Sequence, residues 1–122
     1  MSSGLGIVLF AHGSRDERWR APVEAVAQQV AALDPTARVA CAYLELVAPD
    51  LRSAALALIA GGARSVRIVP LFLGMGRHVR EDLPRLVEEL RTLRPDVAFS
   101  LRPAVGEDLE VIALLARKAL DS

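Results

Sequence analysis

The sequence holds a single cysteine, Cys41, so no disulfide framework and no thiolate metal cluster can form within the chain. Lys118 is the one lysine among fifteen basic residues, and these are balanced by fifteen acids to a formal charge of zero. With no net charge and no basic run, electrostatic binding of nucleic acid is excluded. Aromatic residues make up only 4% against 52% hydrophobic, so the core must be aliphatic. No apolar stretch approaches the length of a membrane span. Met1 to Gly6 lacks the basic region of an export signal, which gives a soluble, cytoplasmic protein as the expectation. There is no G-x-x-x-x-G-K-[ST] phosphate loop and no complete G-x-G-x-x-G fingerprint, so neither nucleotide motif is available.

What is present is a fourfold alternation of strand-length apolar runs with helical patterns. Ile7 to Ala11 is continuous rather than alternating, as expected of a strand covered on both faces. Val23, Val26, Ala27, Val30 and Leu33 then mark a helical stripe ended by Asp34-Pro35. A second strand is expected over Arg38 to Leu46, and Pro49-Asp50 opens a helix stopped by Gly61-Gly62. Val66 to Leu73 reads as the third strand, followed by a helix carrying Leu83, Leu86, Val87, Leu90 and Leu93. Val97 to Leu101 is the fourth, and Gly106-Glu107-Asp108 opens a last helix bearing Leu109, Ile112, Ala113, Ala116 and Leu120. With no linker, residues 1–122 form one α/β domain. Right-handed crossovers predict a four-stranded parallel sheet of order 2-1-3-4, flavodoxin-like, with helices on both faces in three layers.

The two histidines, His12 and His78, follow the first and third strands. In that strand order both fall at the switch point, where open α/β sheets keep their ligands. Imidazole binds metal or accepts a proton near neutral pH. Gly13 after His12 would allow a sharp turn and close approach to a ligand, while Gly74 and Gly76 would lift His78 over the sheet in a loop. Glu45 lies in the apolar stretch Tyr43 to Val47, where a carboxylate must be solvated, paired or functional. His12, His78 and Glu45 would make a borderline ligand set suited to Fe, Co, Ni or Zn; pairing of Glu45 with a neighbouring arginine is the plain alternative. Arg15, Arg18, Arg52, Arg77 and Arg80 gather in sequence around the same loops. Such a rim suits a polycarboxylate, although ordinary solvated helix faces account for any single member. Glu81 and Asp82 favour the helix dipole where they stand.

Four blocks, VLFAHGSRDER, AYLELVAPDL, VRIVPLFLGMGRHVREDLP and RPAVGEDLEV, resemble the class II tetrapyrrole chelatases of the short CbiX/SirB type. The third block is the most specific of them. The resemblance implies a lyase that inserts a divalent metal into sirohydrochlorin, in cobalamin or sirohaem synthesis, with the metal ion as substrate and no organic cofactor. His12 and His78 would hold the metal (Co²⁺, Fe²⁺ or Ni²⁺) and take up the pyrrole protons. Glu45 would assist the cation, and Arg15, Arg77 and Arg80 would bind substrate carboxylates. Long relatives enclose the macrocycle between two such domains, and this chain supplies one. A homodimer would restore the enclosure, with His12 and His78 from each subunit.

Other readings start from the same residues. A histidine phosphatase has arginine immediately before its His-Gly pair, and Ala11 stands there instead. A non-catalytic carrier of metal or tetrapyrrole would need the same side chains as a chelatase, so turnover alone separates the two.

Overall fold

A computed structural model describes residues 4–122. The elements run β1 (Leu5–Ala11), α1 (Ala21–Leu33), β2 (Arg38–Tyr43), α2 (Leu51–Ala60), β3 (Ser65–Pro70), α3 (Arg77–Leu93), β4 (Ala98–Leu101) and α4 (Leu109–Leu120). Single 3₁₀ turns at Glu17–Trp19 and Val105–Glu107 precede α1 and α4. All pairing is parallel and the strand order is β2-β1-β3-β4, the topology expected from the sequence. In register, Leu9 lies between Cys41 and Val69.

Alternation along these strands separates two unlike faces. Val8 and Phe10 of β1, Ala42 of β2, Val66 and Ile68 of β3 and Phe99 of β4 join α2 and α3 in one continuous core. Ala54, Ala55, Leu58 and Ile59 are the α2 contribution, and Leu83, Val87 and Leu90 that of α3. The opposite face is covered over β1 and β2 by α1, where the Cys41 thiol reaches the Val23 carbonyl at 3.9 Å. Burial pushes the Cys41 thiol pKa up, in keeping with a residue that packs as a small hydrophobe.

Several boundaries fall elsewhere than expected. β2 stops at Tyr43 rather than Leu46, because residues 44–49 fold into a loop closed by the Tyr43 amide on the Pro49 carbonyl at 2.9 Å. β3 ends at Pro70, which has no amide to donate, instead of Leu73. His78 is not on a loop. It is the second residue of α3, for which Gly76 is the N-cap. The last helix begins only at Leu109, capped by the Asp108 carboxylate on the amides of Glu110 and Val111. No helix among the described residues is long and apolar enough to cross a membrane.

Candidate functional site

β1 and β3 are neighbours, so the segments after Ala11 and Pro70 leave the sheet side by side at its carboxyl edge. His12 is the first residue past β1. Its ring meets that of Phe72 edge to face, with centroids 4.5 Å apart, and Phe72 in turn meets Phe10 of the core at 5.8 Å. A column of three rings thus runs from the core to the site and fixes the plane of the outermost one. Phe72 is 3% exposed whereas His12 is exposed, so the imidazole stands at the surface against a buried ring. Among the described residues neither histidine side chain nor that of Glu45 is held in a hydrogen bond.

Glu45 reaches this edge because the parallel pairing of β1 with β2 continues past the strand ends. The Leu44 amide donates to Ala11 at 2.8 Å and the Glu45 amide to His12 at 3.1 Å. Gly13 makes that approach possible. Its φ is +93°, and a Cβ there would lie 2.1 Å from the Glu45 carbonyl oxygen. The close approach expected of Gly13 is therefore to the Glu45 loop of the same chain, not to a ligand. At Gly74 and Gly76 neither close approach nor an unusual dihedral is found: each keeps a φ that other residues share, and each faces open space. These two glycines leave the space before His78 free of side chains.

The three expected ligands do not converge within one chain. Among the described residues no three His, Cys, Asp or Glu side chains are grouped closely enough to hold an ion. What the fold brings together is His12 with the Glu45 backbone, and the first turn of α3, carrying His78, with the same sheet edge. Of the arginines, Arg15 and Arg80 are exposed and Arg77 binds Glu81 at 3.1 Å across one helical turn. Arg18 stands 4.0 Å from Asp16, and Arg52 lines a groove between α2 and α3 with Leu86 and Leu90. Asp82 is taken up by Arg85 at 2.9 Å.

Sequence reasoning missed two side chains. Trp19, in the 3₁₀ turn before α1, is 66% exposed and lines a hollow of about 190 Å³ beside His12, with Val23, Tyr43 and Leu71 among the other walls. Phe72, which supports His12, was concealed in an apolar run. The signal for Trp19 was its uniqueness in so aliphatic a chain. Burial holds the Tyr43 hydroxyl pKa above its usual value, so that wall stays uncharged.

A doubly wound parallel sheet of this order defines a class of protein that keeps its ligand site at the carboxyl edge, the edge after which His12 and His78 follow. The family model of CbiX matches residues 6–122, and the chain belongs to that family. The fold superimposes on a CbiX protein described for cobalamin (vitamin B12) biosynthesis in Marinobacter aquaeolei VT8 with a TM-score of 0.78. The two are 32% identical over 95% of this chain and 93% of that one. A sirohydrochlorin cobaltochelatase of Sulfolobus acidocaldarius is 26% identical over 94% of this chain and 89% of its own length. The sirohydrochlorin chelatase SirB of Bacillus subtilis subspecies spizizenii, solved in complex with cobalt, shares the fold with a TM-score of 0.79 at 24% identity. This chain matches 98% of its own length to 50% of that one.

Proposed function

We propose that this chain is a chelatase that inserts a divalent metal, Co²⁺ or Fe²⁺ and by the same chemistry Ni²⁺, into sirohydrochlorin. The observation that carries the reading is the pair of unbonded imidazoles, His12 and His78, at adjoining strand ends in a chain of the CbiX family. Metallation exchanges two pyrrole N–H protons for one M²⁺, so the site must deliver a cation and remove two protons. Neutral imidazole does both, as a borderline ligand that releases its metal and as a base near pH 7. Phe72 holds the His12 ring in place while its nitrogens work.

Glu45 assists the cation from the loop paired with His12. Arg15, Arg77 and Arg80 receive the carboxylates at the rim of the macrocycle. The Arg77–Glu81 pair does not prevent this, because an exposed ion pair contributes little and leaves the guanidinium's remaining donors free. The protein works as a homodimer in the cytoplasm, and two copies facing one another supply the ligands that one copy does not group together. No organic cofactor takes part.

The test is the visible spectrum of sirohydrochlorin mixed anaerobically with Co²⁺, Fe²⁺ or Ni²⁺ and catalytic amounts of protein. Several turnovers above the spontaneous rate are expected. A spectral shift that saturates at one macrocycle per site without acceleration would replace the chelatase by a carrier.

A further inference from the structure

Trp19 is the one tryptophan of the chain, and it is 66% exposed in a protein whose core is aliphatic. Indole offers a large flat apolar face, and leaving it in water forgoes the burial that would stabilise the fold. Its backbone is nevertheless braced by short-range bonds. The Ser14 hydroxyl accepts from the Asp16 amide at 3.1 Å and the Asp16 carboxylate from the Arg18 amide at 3.0 Å. The Trp19 amide itself donates to the Asp16 carbonyl at 3.0 Å. Pro22, whose φ is fixed, then stands in the first turn of α1. The chain after His12 thus presents the indole from a hydrogen-bonded turn.

The hollow of about 190 Å³ that Trp19 lines lies on the α1 side of the sheet, since Val23 belongs to α1 and Tyr43 follows Ala42 of the core on β2. His12 has Phe72 of the core against its ring and this hollow as its other neighbour. Tyr43 is 5% exposed, and its hydroxyl makes no hydrogen bond among the described residues. Among the same residues no sealed side-chain polar atom lacks a partner, so that hydroxyl stays accessible. Arg20 lines the hollow too, with its guanidinium 3.6 Å from the Glu17 carboxylate. Pockets that enclose a whole small ligand measure roughly 300–1,000 Å³, so this one admits part of a ligand.

We propose that this hollow seats one edge of the macrocycle, with the Trp19 indole stacked on one of its rings and the Tyr43 hydroxyl donating to a carboxylate which that ring carries. This rests on the chelatase reading above and names the residues that set how the flat substrate lies beside His12. Continuity carries it: His12 is itself a wall of the hollow, so a ligand that fills the hollow also reaches the imidazole. Shape agrees. A conjugated macrocycle is too wide for the hollow and can insert only an edge, while Gly74 and Gly76 leave open space before His78 for the rest. Chemistry agrees as well, because a flat ring stacks on indole and a protonated phenol donates to a carboxylate. Neither group suits a free metal ion: the indole N–H only donates, and the phenol keeps its proton at neutral pH. The pair therefore acts on the macrocycle and not on the cation.

Binding of metal-free sirohydrochlorin, followed anaerobically by its visible spectrum, tests this in three variants. Trp19→Ala is expected to raise the dissociation constant about tenfold, the loss of one stacking contact. Trp19→Phe keeps a ring face and should stay within about threefold of wild type. Tyr43→Phe keeps the volume, loses the donor and should bind about fivefold more weakly. In metallation, Trp19→Ala should raise KM for sirohydrochlorin and leave KM for Co²⁺ unchanged, a split that a merely structural role would not produce. Circular dichroism checks folding; if Trp19→Ala fails it, Trp19→Leu, apolar and without a ring face, replaces it. Wild-type affinity in Trp19→Ala overturns the stacking, and in Tyr43→Phe the carboxylate contact, while the chelatase stands. Unchanged affinity with a changed mass in sedimentation gives the indole to a protein contact and also overturns the subsite. Affinity lost in Trp19→Ala from a wild type that binds without turnover supports the subsite and refutes the chelatase alone. A wild type that neither binds nor metallates sirohydrochlorin overturns both.

Discussion

Replacing Gly13 by alanine perturbs the contact that sets His12 beside Glu45, and its cost can be worked from the structure. The residue sits at φ +93°, where an L side chain is strained by about 1–2 kcal/mol. The new Cβ would lie 2.1 Å from the Glu45 carbonyl oxygen, and an ordinary carbon–oxygen contact is about 3.3 Å, so the two loops must part by about 1 Å. Parting them breaks the 3.1 Å bond from the Glu45 amide to His12, a loss of about 1 kcal/mol. Against this, alanine restricts the unfolded chain and returns about 0.5 kcal/mol. The net expectation is a destabilisation of about 1.5–2.5 kcal/mol. Urea unfolding at one fixed protein concentration measures it, since association would otherwise shift the midpoint. Gly74→Ala is the control: its added methyl meets nothing within 4 Å, and the expected change is within about 0.5 kcal/mol of zero. A Gly13→Ala protein as stable as the control would show that the loops are not held by this contact. Metallation of sirohydrochlorin should also slow in Gly13→Ala, in samples shown to be folded, because His12 and the Glu45 loop move apart.

Other perturbations separate folding from chemistry. His78→Ala should abolish metallation and leave the urea midpoint unchanged, as the residue is exposed and outside the core; turnover at the wild-type rate would remove it from the mechanism. His12→Ala should abolish metallation too, with a further loss of about 0.5–1 kcal/mol in unfolding from its contact with Phe72. Asp50 caps α2 through the Ser53 amide at 2.8 Å, and that bond holds its carboxyl pKa below the usual 3.8. The stability it contributes is therefore complete above pH 3.8 and lost as pH falls through the lower folded value. Asp50→Ala should cost about 1 kcal/mol at pH 7, whereas Asp50→Asn should retain the cap and flatten the acid limb of a denaturation curve. Gly106→Ala should lower the urea midpoint, because its methyl would displace the Leu73 carbonyl on which the turn before α4 rests.

The strand order and the place of His12 were legible because each depends on one strong signal, a continuous apolar run followed by a change of period; His78 was expected on a loop and stands instead in the first turn of α3. Strand ends were not. Leu44, Leu46 and Leu71 to Leu73 extend the apolar runs, but beyond Tyr43 and Pro70 only single bonds to β1 remain, from the amides of Leu44, Glu45 and Leu71, while the Tyr43–Pro49 bond closes a loop and Pro70 has no amide to give. Composition cannot distinguish a leucine in the ladder from one just past it. Gly13, Gly74 and Gly76 looked alike on the page, yet only Gly13 is required by its surroundings, and that requirement comes from Glu45, which lies 32 residues further on in sequence.

The helical stripes carry the more general point. The α2 and α3 stripes were marked by their periodicity and are largely buried. The stripe of α1 is covered only in part, with Val26 41% and Leu33 84% exposed, and that of α4 is not buried at all. A period of 3.6 shows that a helix has an apolar face without showing which surface receives it. For α2 and α3 that surface lies on the same chain. For α4 that surface is not supplied to the same extent: the helix packs mainly on the 3₁₀ turn before it and buries none of its residues. Among the described residues the same chain also fails to group three metal ligands. In the proposed homodimer, a two-fold axis beside the carboxyl edge would bring four imidazoles around one macrocycle and so supply the ligands that one copy does not group.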